Sequence, residues 1–250
     1  KCCSVFHYNE SLGEKNSVKK AEQELKNRYE SLENKYDKFL AENYDYKANT
    51  YETNKINLLS NPTSLYSKQP TVYYGLMYLA KNAKKEVKIH TPYIICNDYM
   101  YNELKNIKVP TTIMTNSAEN NGNIFGAVDY LNHKKDIINT GVTIKEYEGG
   151  ISYHGKSMTI DDDIAIVGSF NMDMRSAYID TELMLVINSK DINKQLKASM
   201  EEYEKKAATV KNETEYSHIP EGMKMKELSD KKKNIKAWFG WAMNGLRFLF

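Results

Sequence analysis

A chain of 250 residues can form one substantial domain with attachments or two small ones, and its 41% hydrophobic content is enough for a real core. The 35 basic and 33 acidic residues nearly cancel, so a net charge of +2 excludes a protein that coats nucleic acid by bulk charge and leaves electrostatic targeting to local patches. Cys2, Cys3 and Cys96 have neither the even count of a disulfide framework nor CxxC metal spacing, which points to a reducing compartment. No apolar run reaches the ~20 residues a membrane-spanning helix needs, and no signal peptide is visible.

Between residues 17 and 40, Leu25, Tyr29, Leu32, Tyr36 and Phe39 recur at steps of four and three behind a candidate N-cap, Ser17. This predicts an amphipathic helix packed on its own domain. Residues 41–70 are polar, rich in Tyr and Asn, and end in Asn61-Pro62 and Gln69-Pro70, an irregular connection with a boundary near residue 60. Beyond it helix and strand patterns alternate. Helices are expected over Val72 to Asn82, Asp98 to Ile107 and Ala127 to Thr140, and strands over Val87 to His90, Thr111 to Thr115 and Val142 to Tyr147. Three closely spaced strand candidates follow, Ser157 to Ile160, Ile164 to Ser169 and Leu183 to Ile187, and then a helix over about 191–208. Crossover helices followed by hairpin-spaced strands imply an α/β sandwich with a mixed sheet. The chain finishes with Lys231-Lys232-Lys233 and Trp238, Phe239, Trp241, Leu246, Phe248, Leu249 and Phe250. This composition suits a helix lying in a membrane interface or a terminal helix docked on its own core.

The chemistry is concentrated between Tyr153 and Asn171. His154 and Lys156 are two residues apart, so on an extended strand both side chains emerge on one face. Asp161-Asp162-Asp163 then make a turn, and Ile164 to Val167 form a buried strand delivering Gly168-Ser169-Phe170-Asn171. Cleaving a phosphodiester through a covalent intermediate needs a nucleophile that is neutral near pH 7, which the His154 imidazole provides. Charge on the non-bridging oxygens needs fixed donors, for which Lys156, Ser169 and Asn171 are suited. Gly168 lets the backbone approach the phosphate. Asp162 and Asp163 read as turn residues without a convergent set of oxygens, so neither a metal nor a cofactor is expected. His7, His90, His133 and His218 have no comparable partner set.

The ordered pattern HxKxxxxD followed by GSxN resembles the phospholipase D superfamily over roughly residues 70–190. The resemblance implies a phospholipase D-like α-β-α sandwich with a mixed sheet, preceded by a helical connector. Residues 1–60 would be that connector and the tail of a missing N-terminal domain. Residues 61–210 would be the catalytic domain with one HKD motif, and 211–250 a polar linker and basic, aromatic, amphipathic C-terminus. It also implies that Asp161 belongs to the catalytic set, shaping the site electrostatically. Glu182, eleven residues after Asn171, stands where the family carries a carboxylate that generally supports the histidine of the other half. Thr91-Pro92-Tyr93 is similar to a strand-end segment near the family's active site, so Tyr93 would wall the pocket, with His90 nearby in a structural role. Arg175 and Ser176 would organise the loop after Asn171.

Thr91-Pro92-Tyr93, Met114 to Ser117, Gly141 to Tyr147 and Ser169 to Ser176 are similar in order and spacing to the C-terminal halves of bacterial cardiolipin synthases. The resemblance implies phosphatidyl transfer, through a phosphohistidine, to the hydroxyl of a second phospholipid. Phosphatidylglycerol is the implied substrate and an anionic membrane surface the partner. The implied location is the bacterial inner membrane, peripheral on its cytoplasmic face or anchored through a missing N-terminal segment. The family uses two motifs, and no second HxK occurs here, so the expectation is a chain that needs a missing N-terminal HKD half or a second copy. A homodimeric single-motif phosphodiesterase or nuclease, pairing His154 with His154, is disfavoured by the near-zero net charge, which also argues against nucleic acid as a partner. A non-catalytic lipid-binding module is disfavoured by the complete motif.

Overall fold

The computed structural model describes residues 13–40, 45–48, 50–64, 66–239, 245 and 247–249. Cys2, Cys3, His7, Trp241, Leu246 and Phe250 lie outside the described residues, as do the side chains of Phe39, Phe239 and Phe248. The chain divides into two units, Lys1–Thr50 and Tyr51–Phe250.

In the first unit the expected helix is present as α1 (Asn16–Leu40), bent at Tyr36, where φ −125 and ψ 27 leave the helical region. Its apolar stripe is not covered as expected: Leu25, Tyr29, Leu32 and Tyr36 are all exposed.

The second unit begins at Tyr51, ahead of the boundary expected near 60, because part of the supposed connection, Lys55–Ser60 (β1), is a strand of the sheet. The other elements are α2 (Thr71–Lys81), β2 (Val87–His90), β3 (Ile94–Ile95), α3 (Asp98–Lys105), β4 (Thr111–Asn116), α4 (Ile124–Ile138) and β5 (Thr143–Tyr147). Next come β6 (Ser157–Ile160), β7 (Ile164–Gly168), β8 (Met172–Asp173), α5 (Met174–Tyr178) and β9 (Leu183–Asn188). The chain then forms α6 (Lys190–Glu204), β10 (Ala207–Val210), β11 (Tyr216–His218) and α7 (Asp230–Phe239). The nine-stranded sheet runs β1-β9-β7-β6-β2-β4-β5-β10-β11. Its β2-β4-β5 centre is parallel and its flanks antiparallel, as crossover helices and hairpins require.

Helix α2 forms because Val72, Tyr73, Leu76, Met77 and Ala80 make one apolar stripe, all buried against the sheet. Each large side chain in such a stripe contributes about 1.5–3 kcal/mol. Leu59 of β1 meets the same helix at Gly75, where an added Cβ would lie 3.0 Å from Leu59 Cδ1. Helix α4 starts at Ile124, earlier than expected, because the Asn123 side chain accepts from Phe125 N and Gly126 N and satisfies the first turn. Helix α6 stops at Glu204, short of the expected 208, because Ala207 to Thr209 pair with Lys145 to Tyr147.

Two features locate the site. The hairpin β6–β7 sits inside the sheet, held by β2 on one side and β9 on the other. The two-stranded sheet of β3 with β8 ties the chain after Pro92-Tyr93 to the chain after Asn171. At the C-terminus, α7 docks on its own domain through Lys232, which is 7% exposed, while Trp238 stays 77% exposed. Among the described residues, no helix is long and apolar enough to cross a membrane.

Candidate active site

His154 and Lys156 lie on the extended run leading into β6, and their side chains share a face as the spacing requires. Lys156 Nζ is 3.0 Å from His154 Nδ1 and donates to His154 O at 2.9 Å. The other ring nitrogen, Nε2, meets the Tyr93 hydroxyl at 3.2 Å. Partial burial and then the Lys156 charge push the His154 pKa below its ordinary value, so the ring is neutral at pH 7. Burial also lowers the Lys156 pKa, with Glu182 and Asp173 pulling in the opposite direction.

The end of β7 comes alongside, since Gly168 N donates to Lys156 O at 3.3 Å. Ser169 N donates to Leu183 O at 2.9 Å, and its hydroxyl donates to the Glu182 carboxylate. The second oxygen of Glu182 accepts from Ser176 Oγ at 2.7 Å. Ser176 Oγ in turn accepts from Asn171 N at 3.2 Å and from Asn171 Nδ2 at 3.3 Å. Glu182, 6% exposed, thus fastens the loop of Ser169 and Asn171. Ser176 organises this loop as expected, whereas Arg175 is exposed and pairs with Asp180 at 3.0 Å. Asp173 was not singled out by the sequence. It caps α5 by accepting from Ser176 N at 2.6 Å, and burial raises its pKa to about 6 against that hydrogen bond.

Asp161 and Gly168 have structural contacts that the sequence did not show. Asp161 is at the far end of β6, about 16 Å along an extended chain from Lys156, and has no contact with His154. Its carboxylate accepts from Lys84 N at 2.9 Å, Lys85 N at 2.7 Å and Glu86 N at 3.2 Å, and Asp161 N donates to Glu86 O at 3.0 Å. Burial works to raise its pKa, but those three donors outweigh it and hold the carboxyl below its ordinary value. Asp161 pins the hairpin turn. Gly168 is required by the sheet, since a Cβ there would lie 2.1 Å from Leu183 O.

Behind His154 is a polar layer that the sequence did not reveal. Tyr153 N donates to Asn116 Oδ1 at 2.8 Å, and Asn116 Nδ2 returns a bond to Tyr153 O at 2.9 Å. His90 is 1% exposed, with Glu204 Oε1 3.2 Å from Nε2 and the Tyr153 hydroxyl 3.2 Å from Nδ1. It supports the loop through the Tyr153 hydroxyl. Burial lowers its pKa and Glu204 raises it in part.

The model for the cardiolipin synthase, phospholipase D-like domain matches residues 76–203. Cardiolipin synthase 1 of Staphylococcus epidermidis is 30% identical over 159 residues, which cover 62% of this chain and 32% of that protein. A cardiolipin synthase of Staphylococcus aureus is 31% identical over 129 residues, 50% of this chain and 26% of that protein. The chain therefore spans about a third of the length of the curated relatives it matches. Among solved structures, the phosphatidylserine synthase of Haemophilus influenzae aligns with a TM-score of 0.55 at 15% identity, covering 78% of this chain and 48% of that one. Nuc of Salmonella typhimurium, a phospholipase D family member, aligns at 0.50 and 16% identity, covering 62% and 97%. The fold, the motif and the family match agree: the chain belongs to the phospholipase D superfamily and is a cardiolipin synthase-like member of it.

Proposed function

We propose that this chain supplies one half of the active site of a phosphatidyl transferase of cardiolipin synthase type, moving a phosphatidyl group through His154 to a phospholipid hydroxyl. The observation that carries the reading is a neutral, exposed imidazole with Lys156 against it, beside the loop of Ser169 and Asn171. The imidazole lone pair attacks phosphorus while Lys156, Ser169 and Asn171 hold the non-bridging oxygens. The bond from phosphorus to the donor's glycerol oxygen breaks, and that oxygen takes a proton from an acid of a second HKD half. The acceptor hydroxyl then attacks phosphorus, gives its proton to the same group, and the histidine is released neutral.

The need for a second half is supported by the site's open side. Val167, Leu183, Leu58 and Ile56 are exposed on neighbouring strands beside Ser169. An apolar surface adjoining polar groups fits a partner of the same fold, supplied by another copy or by a further HKD domain. Phosphatidylglycerol at an anionic membrane surface is the donor we favour, with the lysine-rich exposed face of α7 nearby.

Incubating phosphatidylglycerol vesicles with the chain, alone and joined to a complementary HKD half, tests this by scoring cardiolipin and released glycerol. Cardiolipin should form only with the second half present. His154→Ala should abolish it and Lys156→Ala reduce it about 10²-fold or more, with both variants folded. Full activity in either variant would overturn the assignment.

A further inference from the structure

Two cations near the C-terminus, the buried Lys232 and the half-buried Arg247, make contacts that the proposed chemistry does not use. Lys232 is on α7, and its ammonium donates to three backbone carbonyls of one loop: Ala118 O at 2.8 Å, Glu119 O at 2.6 Å and Asn121 O at 3.0 Å. Ser229 N adds a bond to Glu119 Oε2 at 3.0 Å. Carbonyls converging on one point repel each other, so the ammonium closes this loop as a bound cation would. A lysine is buried in this way only where the geometry satisfies it.

The closed loop holds the segment that carries His154. Asn120 Nδ2 donates to Ile151 O at 3.1 Å and to Asn116 Oδ1 at 3.1 Å, and Asn120 Oδ1 accepts from Gly150 N at 3.1 Å. Gly122 N donates to Ser152 Oγ at 3.0 Å. Asn116 makes the paired bonds to Tyr153 described above. Every residue from Gly150 to Tyr153 is therefore fastened to the loop that Lys232 closes or to its base at Asn116.

Arg247 reaches the other partner of His154. Its Nε donates to Asp129 Oδ1 at 2.7 Å, and Nη2 donates to Asp129 Oδ2 at 3.2 Å and to Cys96 O at 2.9 Å. Asp129 is 2% exposed and lies on α4 one turn after Gly126, against which the Tyr93 ring packs. Arg247 thus locks α4 to the far end of the 92–96 segment, with Tyr93 between them. The hydroxyl of Tyr93 is the group on His154 Nε2.

We infer that Lys232 and Arg247 are positioning residues for His154: one fixes the loop that presents the imidazole, the other the tyrosine that orients it. The inference rests on reading His154 as the reactive group, but its main test does not need activity. The charged and titratable groups facing the ring are Lys156 and Tyr93. If the anchors hold the ring in place, losing one loosens it from its partly covered position and from the Lys156 ammonium, the two causes of its lowered pKa.

The experiment is an NMR titration of the histidine side chains in the full chain carrying Lys232→Met, and separately Arg247→Gln, well below each variant's own Tm. The His154 pKa should rise toward the ordinary histidine value in either variant, and Lys232→Arg should restore part of the lowering. Joined to a complementary half, each variant should lose about tenfold in kcat with KM within about twofold. An unmoved His154 titration in a folded Arg247→Gln or Lys232→Met chain overturns the inference. Should the parent itself transfer no phosphatidyl group while the titration shifts as described, the functional reading fails and the positioning role stands.

Discussion

Replacing Asp161 separates its place in the motif from its place in the fold. Its carboxylate accepts from three backbone N–H groups, of Lys84, Lys85 and Glu86, and holds the β6–β7 turn to the chain entering β2. Hydrogen bonds to a charged group are worth roughly 1.5–3 kcal/mol in buried settings, and a capping carboxylate about 0.5–2. Three bonds to one partly exposed carboxylate give about 2 kcal/mol for Asp161→Ala. For a unit of this size that lowers Tm by about 4–8 °C. Asp161 sits at φ 50, which Asn tolerates, and Oδ1 accepts from all three donors, so Asp161→Asn should cost about half as much. The native pKa is depressed, so the carboxylate's contribution is fully present above the unfolded value near 4 and is lost as pH falls through the native one. Thermal unfolding of parent and both variants between pH 3 and 8 measures this. Transfer activity per folded molecule should stay within about twofold. If Asp161→Asn abolished transfer with Tm unchanged, Asp161 would act in the site and the structural assignment would be wrong.

Other perturbations give sharp outcomes. Gly168→Ala places a methyl 2.1 Å from Leu183 O, a backbone atom between paired strands, and should cost at least about 3 kcal/mol in a denaturant melt; a neutral result would mean β7 and β9 can separate freely. Asp173 has a native pKa raised to about 6, so its neutral form favours folding below pH 4 and this advantage disappears as pH rises through 6. Asp173→Asn should therefore gain on the order of 2 kcal/mol relative to the parent between pH 4 and 7.5; a pH-independent difference would remove the buried-carboxyl account. Leu183→Glu, on the exposed face beside Ser169, should prevent association with a complementary HKD half in sedimentation while shifting Tm by less than about 2 °C; undiminished association would place the partner elsewhere.

What could be read from the sequence was what repeats locally. The β-branched runs of β4 and β7 and the stripe of α2 follow periods of two and 3.6, and they appear close to where those periods put them. β1 was hidden because Lys55–Ser60 is an edge strand with five of its six residues exposed, so burial gives no alternation to read. The site followed the same division. His154 and Lys156 are neighbours in sequence, and their shared face follows from strand geometry alone. The packing at Gly168 was not legible because the atom that excludes a side chain belongs to Leu183, which only the pairing of β7 with β9 brings near. Asn116 stood in a family-like segment, but its contacts and those of Asn120 were not legible, since their partners at Tyr153 and Ile151 are more than thirty residues away.

The motif spans one hairpin, and the hairpin's two ends do different work. At the turn, Asp161 fixes how far β6 and β7 slide against β2, and at the open end His154, Lys156 and Ser169 receive that placement. Rigid support at one end makes precise chemistry at the other possible, because a strand pinned between β2 and β9 cannot shift its register by less than a residue pair. The open end still faces water, however. An ammonium about 4 Å from a phosphate oxygen gains roughly 1 kcal/mol in bulk water and roughly 4 at the lower dielectric of a covered surface. If Lys156 holds the phosphate as proposed, its grip would be weak while the site is open and firm once a second half excludes solvent. On the proposed function, a half docking over the exposed Val167 and Leu183 would bring the second acid and, by excluding solvent, strengthen the first half's grip on the phosphate.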